Sequence, residues 1–532
     1  FCIFCLACTT VKYKKCLGPR KILHILSGAH YPEVQKVLGD PQDFAYFAWR
    51  TPPGRREGDG GRARWCLCHL TRKTPSKSYI VLESRSRIGG TWDLFRYPGI
   101  RSDSDMHTLG YSFKPWKHEK SIADGSSILR YIHETAEEYD VQSRIRFGQK
   151  VEVVSWDSVK GVWTVTLSEQ GQTRTIICSY IYSCTGYYRY DKGYMPEFSN
   201  LESFSGQIIH PQHWPDNFNY DGKTVVVIGS GATAITLVPA MAKSAKHVTM
   251  LQRSPTYVIS SPSTDKLAAK IERFLPEKMA YMVTRWKNVI AQMILYRMSK
   301  RWPDYIRDKL IHWTKLQLGK DFDVDVHFSP SYKPWDQRLC LVPNGDLFKS
   351  LRKGSSSIVT DHIDHFYDKG IRLKSGKSLE ADVVVTATGL ELLAIGGIKI
   401  EVDDKPVDIS ETTQYKGMML SDVPNLFFAT GYTNASWTLK CDLTSEYVCR
   451  LINHLDKTKK NICVPRTRDS TLKQVMSIGL ESGYVQRSID NFPKEGIISP
   501  WKLHQNYFLD LIGLRFKSVE DDFMEFSSTS IK

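Results

Sequence analysis

The sequence predicts an α/β protein built from two dinucleotide-binding, Rossmann-like domains with a helical insertion. Three observations predict it. Short buried apolar runs recur between helix-compatible stretches, the pattern of parallel, doubly wound sheets. One of these runs, TVVVIGSGATA (224–234), leads straight into a glycine-rich turn. A long block at 264–319, rich in Lys, Arg, Trp and Met at helical spacing, interrupts the second half.

Length and composition bound the rest. A chain of 532 residues exceeds one ordinary domain, and 41% apolar with 24% charged residues describes a globular protein able to bury a large core. Disordered, collagen-like and disulfide-scaffold classes are excluded. No apolar run reaches the ~18 residues of a membrane helix. The chain starts at Phe1, which reads as a fragment, a processed product or a conceptual translation. Residues 1–75 hold thirteen Lys/Arg against five Asp/Glu and six of the twelve cysteines; the remaining 457 residues carry +7 of the net +15. That cysteine usage is a cytosolic enzyme's. No basic patch with interleaved aromatics accompanies the surplus, so nucleic acid is not expected as a partner. Cys2, Cys5 and Cys8 have no second cluster at metal-ligand spacing, and no metal is expected.

In chain order, residues 1–57 match nothing, and PPGRREGDGGRAR (52–64) reads as a charged loop. A first nucleotide-binding region is expected over 58–215. SYIVLE (78–83) is a strand ending in an acid before the Gly-Gly turn at 89–90. VEVVSW (151–156) and VWTVTL (162–167) form a meander. A second nucleotide-binding domain spans 216–380, with strands in 224–228 and HVTMLQRSP (247–255) and the insertion 264–319. The first domain resumes over 381–532, where DVVVTATG (382–389) and LFFATGY (426–432) are buried strands. In the insertion, Phe274, Met279, Met282, Ile290 and Met293 are expected to face a core or pocket. Arg285, Lys287, Arg297, Lys300 and Arg301 between them leave room for a peripheral membrane contact.

Gly229-x-Gly231-x-x-Ala234 follows an apolar strand and precedes a helix. Its glycines let the backbone approach a pyrophosphate whose charge sits on the helix N-terminus. About twenty residues on, where an NAD site would place an acid, stand Gln252 and Arg253. A cation there suits a 2′-phosphate, so NADP(H) is the expected ligand.

Phe204-x-Gly206-x-x-x-His210-x-x-x-Trp214-Pro215 and, before it, Gly90-x-Trp92 with Tyr97-Pro98-Gly99 and Asp103 are two long patterns in order. With the glycine turn just after them, the chain resembles the Baeyer–Villiger monooxygenases over 76–532, including GYVQR (483–487) and PWKLHQNYFLD (500–510). It is most similar to the bacterial branch that includes thioamide-prodrug-activating enzymes, through YKPWDQRLCLVPNGDLF (332–348) and GYTNASWTLKCDL (431–443).

The resemblance implies that NADPH reduces FAD and that reduced flavin captures O2 as a C4a-peroxide. This attacks a ketone to give an ester or lactone; thio-compounds are a related substrate class. It implies a catalytic Arg338 beside Gln337, which replaces the usual lysine, with Asp103 holding the arginine. It assigns Glu83 to the FAD ribose, Gly90, Thr91 and Trp92 to the flavin, and Val151 to adenine. Arg101 and Ser102 go to NADP, and His210 with Trp214 to a hinge. An N- or S-oxidising flavin monooxygenase is the near alternative, and an inactive NADP-binding remnant the distant one. A cytoplasmic enzyme is expected.

The first glycine fingerprint departs from the family. Counting back 25 residues from Glu83 gives Gly58, and Gly60 is in register. The third glycine, however, is Ala63, flanked by Arg62 and Arg64, and RTPPGRRE (50–57) stands where a buried strand belongs. Proline cannot join a ladder, and buried unpaired arginine costs several kcal/mol. Spacing kept without residue types reads as a shifted reading frame or a miscalled exon. Reading the source nucleotides in another frame upstream of about residue 66 is expected to restore a strand and an intact glycine motif; recovering neither overturns that reading.

Overall fold

The computed structural model describes residues 3–8, 73–74, 77–467, 474–476 and 481–529. Gly58, Gly60 and Ala63 of the damaged fingerprint lie outside them. The first sheet runs in the order Leu426–Phe428, Tyr180–Cys184, Ile3–Cys8, Ser78–Glu83, Ile145–Phe147. Its outer pairs are parallel, as predicted. Its centre departs from expectation, because Ile3–Cys8, in a stretch the sequence left unmatched, forms a strand antiparallel to both neighbours. Cys8 pairs with Ser78 and Phe4 with Leu82, so the chain leaves this strand at the edge opposite Glu83. Gln149–Asp157, Val162–Glu169 and Gln172–Cys178 form the expected antiparallel meander.

The second sheet is parallel throughout, in the order Ser356–Thr360, His247–Gln252, Thr224–Ile228, Val383–Thr386, Gln207–Ile209. Four of the five residues in Thr224–Ile228 are buried, as expected of a strand covered on both faces. This corrects the predicted boundaries. Val383–Thr386, assigned to the returning first domain, pairs with Thr224–Ile228, so the second sheet extends from 207 to 386 and not from 216 to 380. A run of three valines says that a strand is buried but not in which sheet.

The insertion folds as Lys266–Phe274, Glu277–Arg301 and Pro303–Leu318. The long middle helix seats one face on the segment that follows the YPG turn. Arg285 Nη1 donates to the carbonyls of His107, Thr108 and Gly110, and Tyr281 Oη donates to Tyr111 O at 3.0 Å. Asn288 and Gln292 each donate to Asp105 at 2.8 Å. The predicted stripe is not that face. Phe274 is 77% exposed, Met279, Met282 and Ile290 are exposed too, and only Met293 packs against the core. Helical spacing groups residues on one side without telling which side is covered.

The aromatic-histidine fingerprint forms a packing seam. Gly206 leaves space for the Phe204 ring and the carbonyl of Asp382, where a Cβ could not fit. Phe204 is buried against Phe366 and its neighbours in one face of the second sheet. Trp214 packs edge-on against Phe218 and Tyr220, and Pro215 accepts from Phe218 N at 3.3 Å. His210 Nδ1 accepts from Gln212 N at 3.2 Å, which leaves Nε2 to donate to Gly389 O at 3.2 Å. Burial holds the imidazole below its ordinary pKa and therefore neutral. The ring lies flat on Gly193, whose Cβ would fall inside it. Gly193→Ala is expected to lower stability by about 1–3 kcal/mol through overpacking. Gly513→Ala, with open space around it, should stay within about 0.5 kcal/mol of the parent. Denaturant midpoints check both.

Candidate functional site

A single cavity of about 1580 Å³ lies between the two nucleotide-binding folds and is walled by both. That exceeds the ~300–1000 Å³ of an ordinary small-ligand site and leaves room for more than one ligand. At its centre Arg338 Nη1 meets Asp103 Oδ2 at 2.6 Å. The two side chains keep 35% and 55% of their exposure within the open cavity, so water screens the pair and it adds little to stability. Partial burial acts to lower the Arg338 pKa, but Asp103 and the nearby Tyr187, Tyr484 and Tyr188 outweigh it, and the guanidinium is held charged. Arg338 Nε is buried with no partner.

The loop that presents Arg338 is tightly held. Trp335 has φ of +70°, a left-handed conformation that is rare for a bulky residue. Lys333 N and Lys300 Nζ both donate to the Asp336 carboxylate, and Glu481 N donates to Asp336 O at 2.8 Å. The strain is therefore fixed from three directions, and Trp335, Gln337 and Arg338 all face the cavity.

The glycine turn forms a second wall. Gly229, at φ +138°, lies so close to the carbonyl of Ala387 that no Cβ fits. Gly231 precedes the helix Ala232–Met241, has no side-chain cap and faces open space. Ala234 is wholly buried between helix and sheet, which a small third residue permits. Arg253 lines the cavity beside His362 and Lys374, whereas Gln252 turns away and donates to His327 O and Thr360 Oγ1, both at 2.9 Å. Arg101 Nη1 pairs with Asp346 at 2.5 Å, while its buried Nη2 has no partner and its side chain lines the cavity. Ser102 also lines it, with Oγ accepting from Ala123 N.

From the first domain, Thr91 and Trp92 line the cavity, with Thr91 Oγ1 3.3 Å from Tyr190 Oη. Gly90 supports them from behind, its carbonyl accepting from Arg85. Glu83 and Val151 stand outside this lining. Glu83 is buried at the end of Ser78–Glu83, and Val151 sits in the meander. The cavity thus unites Asp103, Arg338, Thr91, Trp92, Arg101, Ser102, Gly229, Gly231, Arg253 and Gln337, and leaves the aromatic-histidine fingerprint outside.

Sequence reasoning missed the aromatic wall. Tyr187 stacks on Trp437 at 4.7 Å, its hydroxyl lies 3.2 Å from that of Tyr188, and Arg487 covers the Tyr194 ring. A signal existed. Strands ending at Cys184, Thr386 and Phe428 all lead into a small residue followed by Thr-Gly, at 184–186, 387–389 and 429–431, and each contributes to the cavity. Cys184, Cys340 and Cys441 line it as well, and burial pushes the Cys340 thiol up to about 11.

Burial also pushes the Glu83 carboxyl up to about 7, against the opposing effects of the Arg85 amide, which donates at 2.9 Å, and the Arg85 charge. The folded chain thus holds a proton that the unfolded chain releases near pH 4.5. Its contribution falls as pH rises from 4.5 to 7 and is flat above, a change of roughly 3 kcal/mol. Glu83→Gln is expected to remove that slope, so the variant gains on the parent from pH 5 to pH 8 in denaturant midpoint. Parallel curves would contradict the buried, protonated carboxyl.

Residues 111–394 match the family described as flavin-binding monooxygenase-like. The chain is 50% identical to the FAD-containing monooxygenase EthA of Mycobacterium tuberculosis over 88% of its length and 95% of that protein. It is 48% identical to the probable FAD-binding monooxygenase AlmA of Acinetobacter baylyi, over 86% and 92%. Among solved structures it resembles an oxidised steroid monooxygenase bound to NADP, with a TM-score of 0.69 at 20% identity over 86% and 96% of the two chains. The cyclohexanone monooxygenase from Rhodococcus sp. Phi1 gives 0.65 at 17%, over the same shares. These structural likenesses show the two-domain fold. Family match and sequence identity agree with the glycine turn and the shared cavity: the chain belongs to the flavin-binding monooxygenase-like family.

Proposed function

We propose that this chain is an FAD- and NADPH-dependent monooxygenase that inserts one oxygen atom of O2 into ketones, giving esters or lactones, and that also oxidises sulfur compounds. The Arg338–Asp103 pair in the same cavity as the Gly229/Gly231 turn is the observation that carries the reading. NADPH and O2 supply the oxidation balance: ketone, O2, NADPH and a proton become ester, water and NADP+.

The described residues fit NADP(H) and supply part of an FAD site, whose glycine fingerprint lies outside them. Gly231 leaves open space at a helix N-terminus, Arg253 supplies charge for a 2′-phosphate, and the orphaned Arg101 Nη2 awaits an acceptor. Thr91 and Trp92 would meet the flavin, and the buried Glu83 carboxyl suits ribose hydroxyls. FAD, reduced by NADPH, would supply the oxygen-activating chemistry. Arg338, fixed by Asp103 and by the clamped 333–338 loop, holds a positive charge where negative charge develops on the ketone oxygen during addition. Tyr187, Tyr188 and Tyr484 beside it act with Asp103 to keep that guanidinium charged.

Oxidation at sulfur develops no oxyanion on carbon, so the arginine matters less there. Arg338→Ala is therefore expected to lower ester formation about 10²–10³-fold while sulfoxidation falls less, read by product analysis with a ketone and a thioether. Equal losses would favour a general role in cofactor handling. Gly231→Ala should leave the denaturant midpoint unchanged, because no atom lies near its Cβ, and raise the KM for NADPH about tenfold. A visible absorbance spectrum of the purified chain tests flavin retention directly. A colourless chain that still binds NADPH would overturn the monooxygenase reading for this sequence.

A further inference from the structure

The helix Glu277–Arg301 is apolar on the side facing away from the protein. Its buried positions, Ala280, Tyr281, Thr284, Arg285, Val289 and Ser299, gather on one side at 3.6 residues per turn. Met279, Met282, Val283, Ile290 and Ile294 gather on the other, and all are exposed. A helix resting on a globular protein ordinarily turns polar side chains outward. The C-terminal turns extend the same surface. Phe508 stacks on Trp286 at 5.5 Å, and Leu509, Ile512 and Phe516 lie exposed beside it at helical spacing, Phe516 at 70%. Exposed apolar area continuous over two elements marks a contact site.

The charge around it selects the partner. Residues 264–319 hold twelve Lys/Arg against five Asp/Glu, so nearly half of the chain's net charge of +15 belongs to about a tenth of its length. Arg297 and Arg301 continue the apolar stripe at its end, and Lys278 flanks its start; all three are exposed. Two acids, Glu272 and Glu277, are also exposed there, the latter paired with Lys117 at 2.9 Å. A two-fold contact between copies would set this positive surface against itself. An anionic lipid surface complements it, with apolar side chains entering the acyl boundary and basic ones meeting headgroups.

We propose that this face docks the protein on anionic lipid bilayers. The same helix walls the cavity through Asn288, Ala291, Gln292 and Leu295, so docking brings the substrate site to a source of apolar substrate. The docking stands independently of the reaction assigned above.

Flotation of the purified full-length chain with vesicles tests it. Vesicles of phosphatidylcholine with phosphatidylglycerol in equal parts are expected to carry the chain upward. Vesicles of phosphatidylcholine alone should carry much less, and about 0.5 M salt should weaken the anionic binding. The combined variant Met282→Glu, Ile290→Glu and Phe516→Glu is expected to lose at least about tenfold of bound protein while keeping its denaturant midpoint. If that variant does not fold, Arg297→Gln with Arg301→Gln should remove the preference for the anionic lipid. A parent chain that stays with the soluble fraction, or a folded triple variant that floats equally well, overturns the proposal. A parent mass of twice the chain by light scattering, reverting to monomer in the triple variant, assigns the face to a second copy and overturns it too.

Discussion

Asp103 and Arg338 stand 235 positions apart in the chain and meet at 2.6 Å, and under the function proposed above the rest of the structure serves that meeting. One belongs to the segment that leaves the first sheet, the other to a loop that follows the helical insertion. Neither sheet alone walls the cavity in which they meet. The pair gains little from Coulomb attraction at its exposure, so its position comes from elsewhere. Arg285 gathers three carbonyls of residues 107–110, Asp105 accepts from two donors on the same helix, and Arg101 reaches Asp346. On the other side, Asp336 binds its loop to both the insertion and the C-terminal segment. The insertion is thereby the frame that brings an acid of one domain to an arginine of the other.

The parallel strands were the most legible part of the sequence. A strand covered on both faces is a near-continuous apolar run, and 79–82, 225–228 and 248–251 say so without help from their neighbours. The glycine turn was legible for a different reason. Gly229 is required by its close approach to the Ala387 carbonyl and its positive φ, a demand that the turn imposes locally and that spacing preserves. Arg338 and Asp103 were legible only through the resemblance, because nothing in the local text of either residue points to the other.

What could not be read shares a cause. The tyrosine wall assembles from the short strand Tyr188–Gly193 with its flanks and the single helical turn Gly483–Gln486, elements too short for periodicity to constrain residue type. Val383–Thr386 was recognised as a strand and assigned to the wrong sheet, since pairing partners are a tertiary choice. The apolar stripe of the insertion was recognised and assigned to the wrong side. There the helix is seated largely through polar contacts of Arg285, Asn288 and Gln292, which leaves the apolar stripe on the other side for a partner. Likewise, the strand Ile3–Cys8 enters the sheet centre from a region whose text gave no reason to expect it, and enters it reversed.

Cys340 sits on the cavity wall with its thiol pushed up to about 11 by burial. A protein that consumes O2 and reducing equivalents at one centre is exposed to leaked hydrogen peroxide from within, at higher local concentration than from solution. The thiolate is the form that peroxide oxidises, and at neutral pH this sulfur is almost wholly protonated. Burial that packs the loop beside Arg338 therefore also slows oxidative self-inactivation, and prolonged turnover should damage exposed methionines before this cysteine.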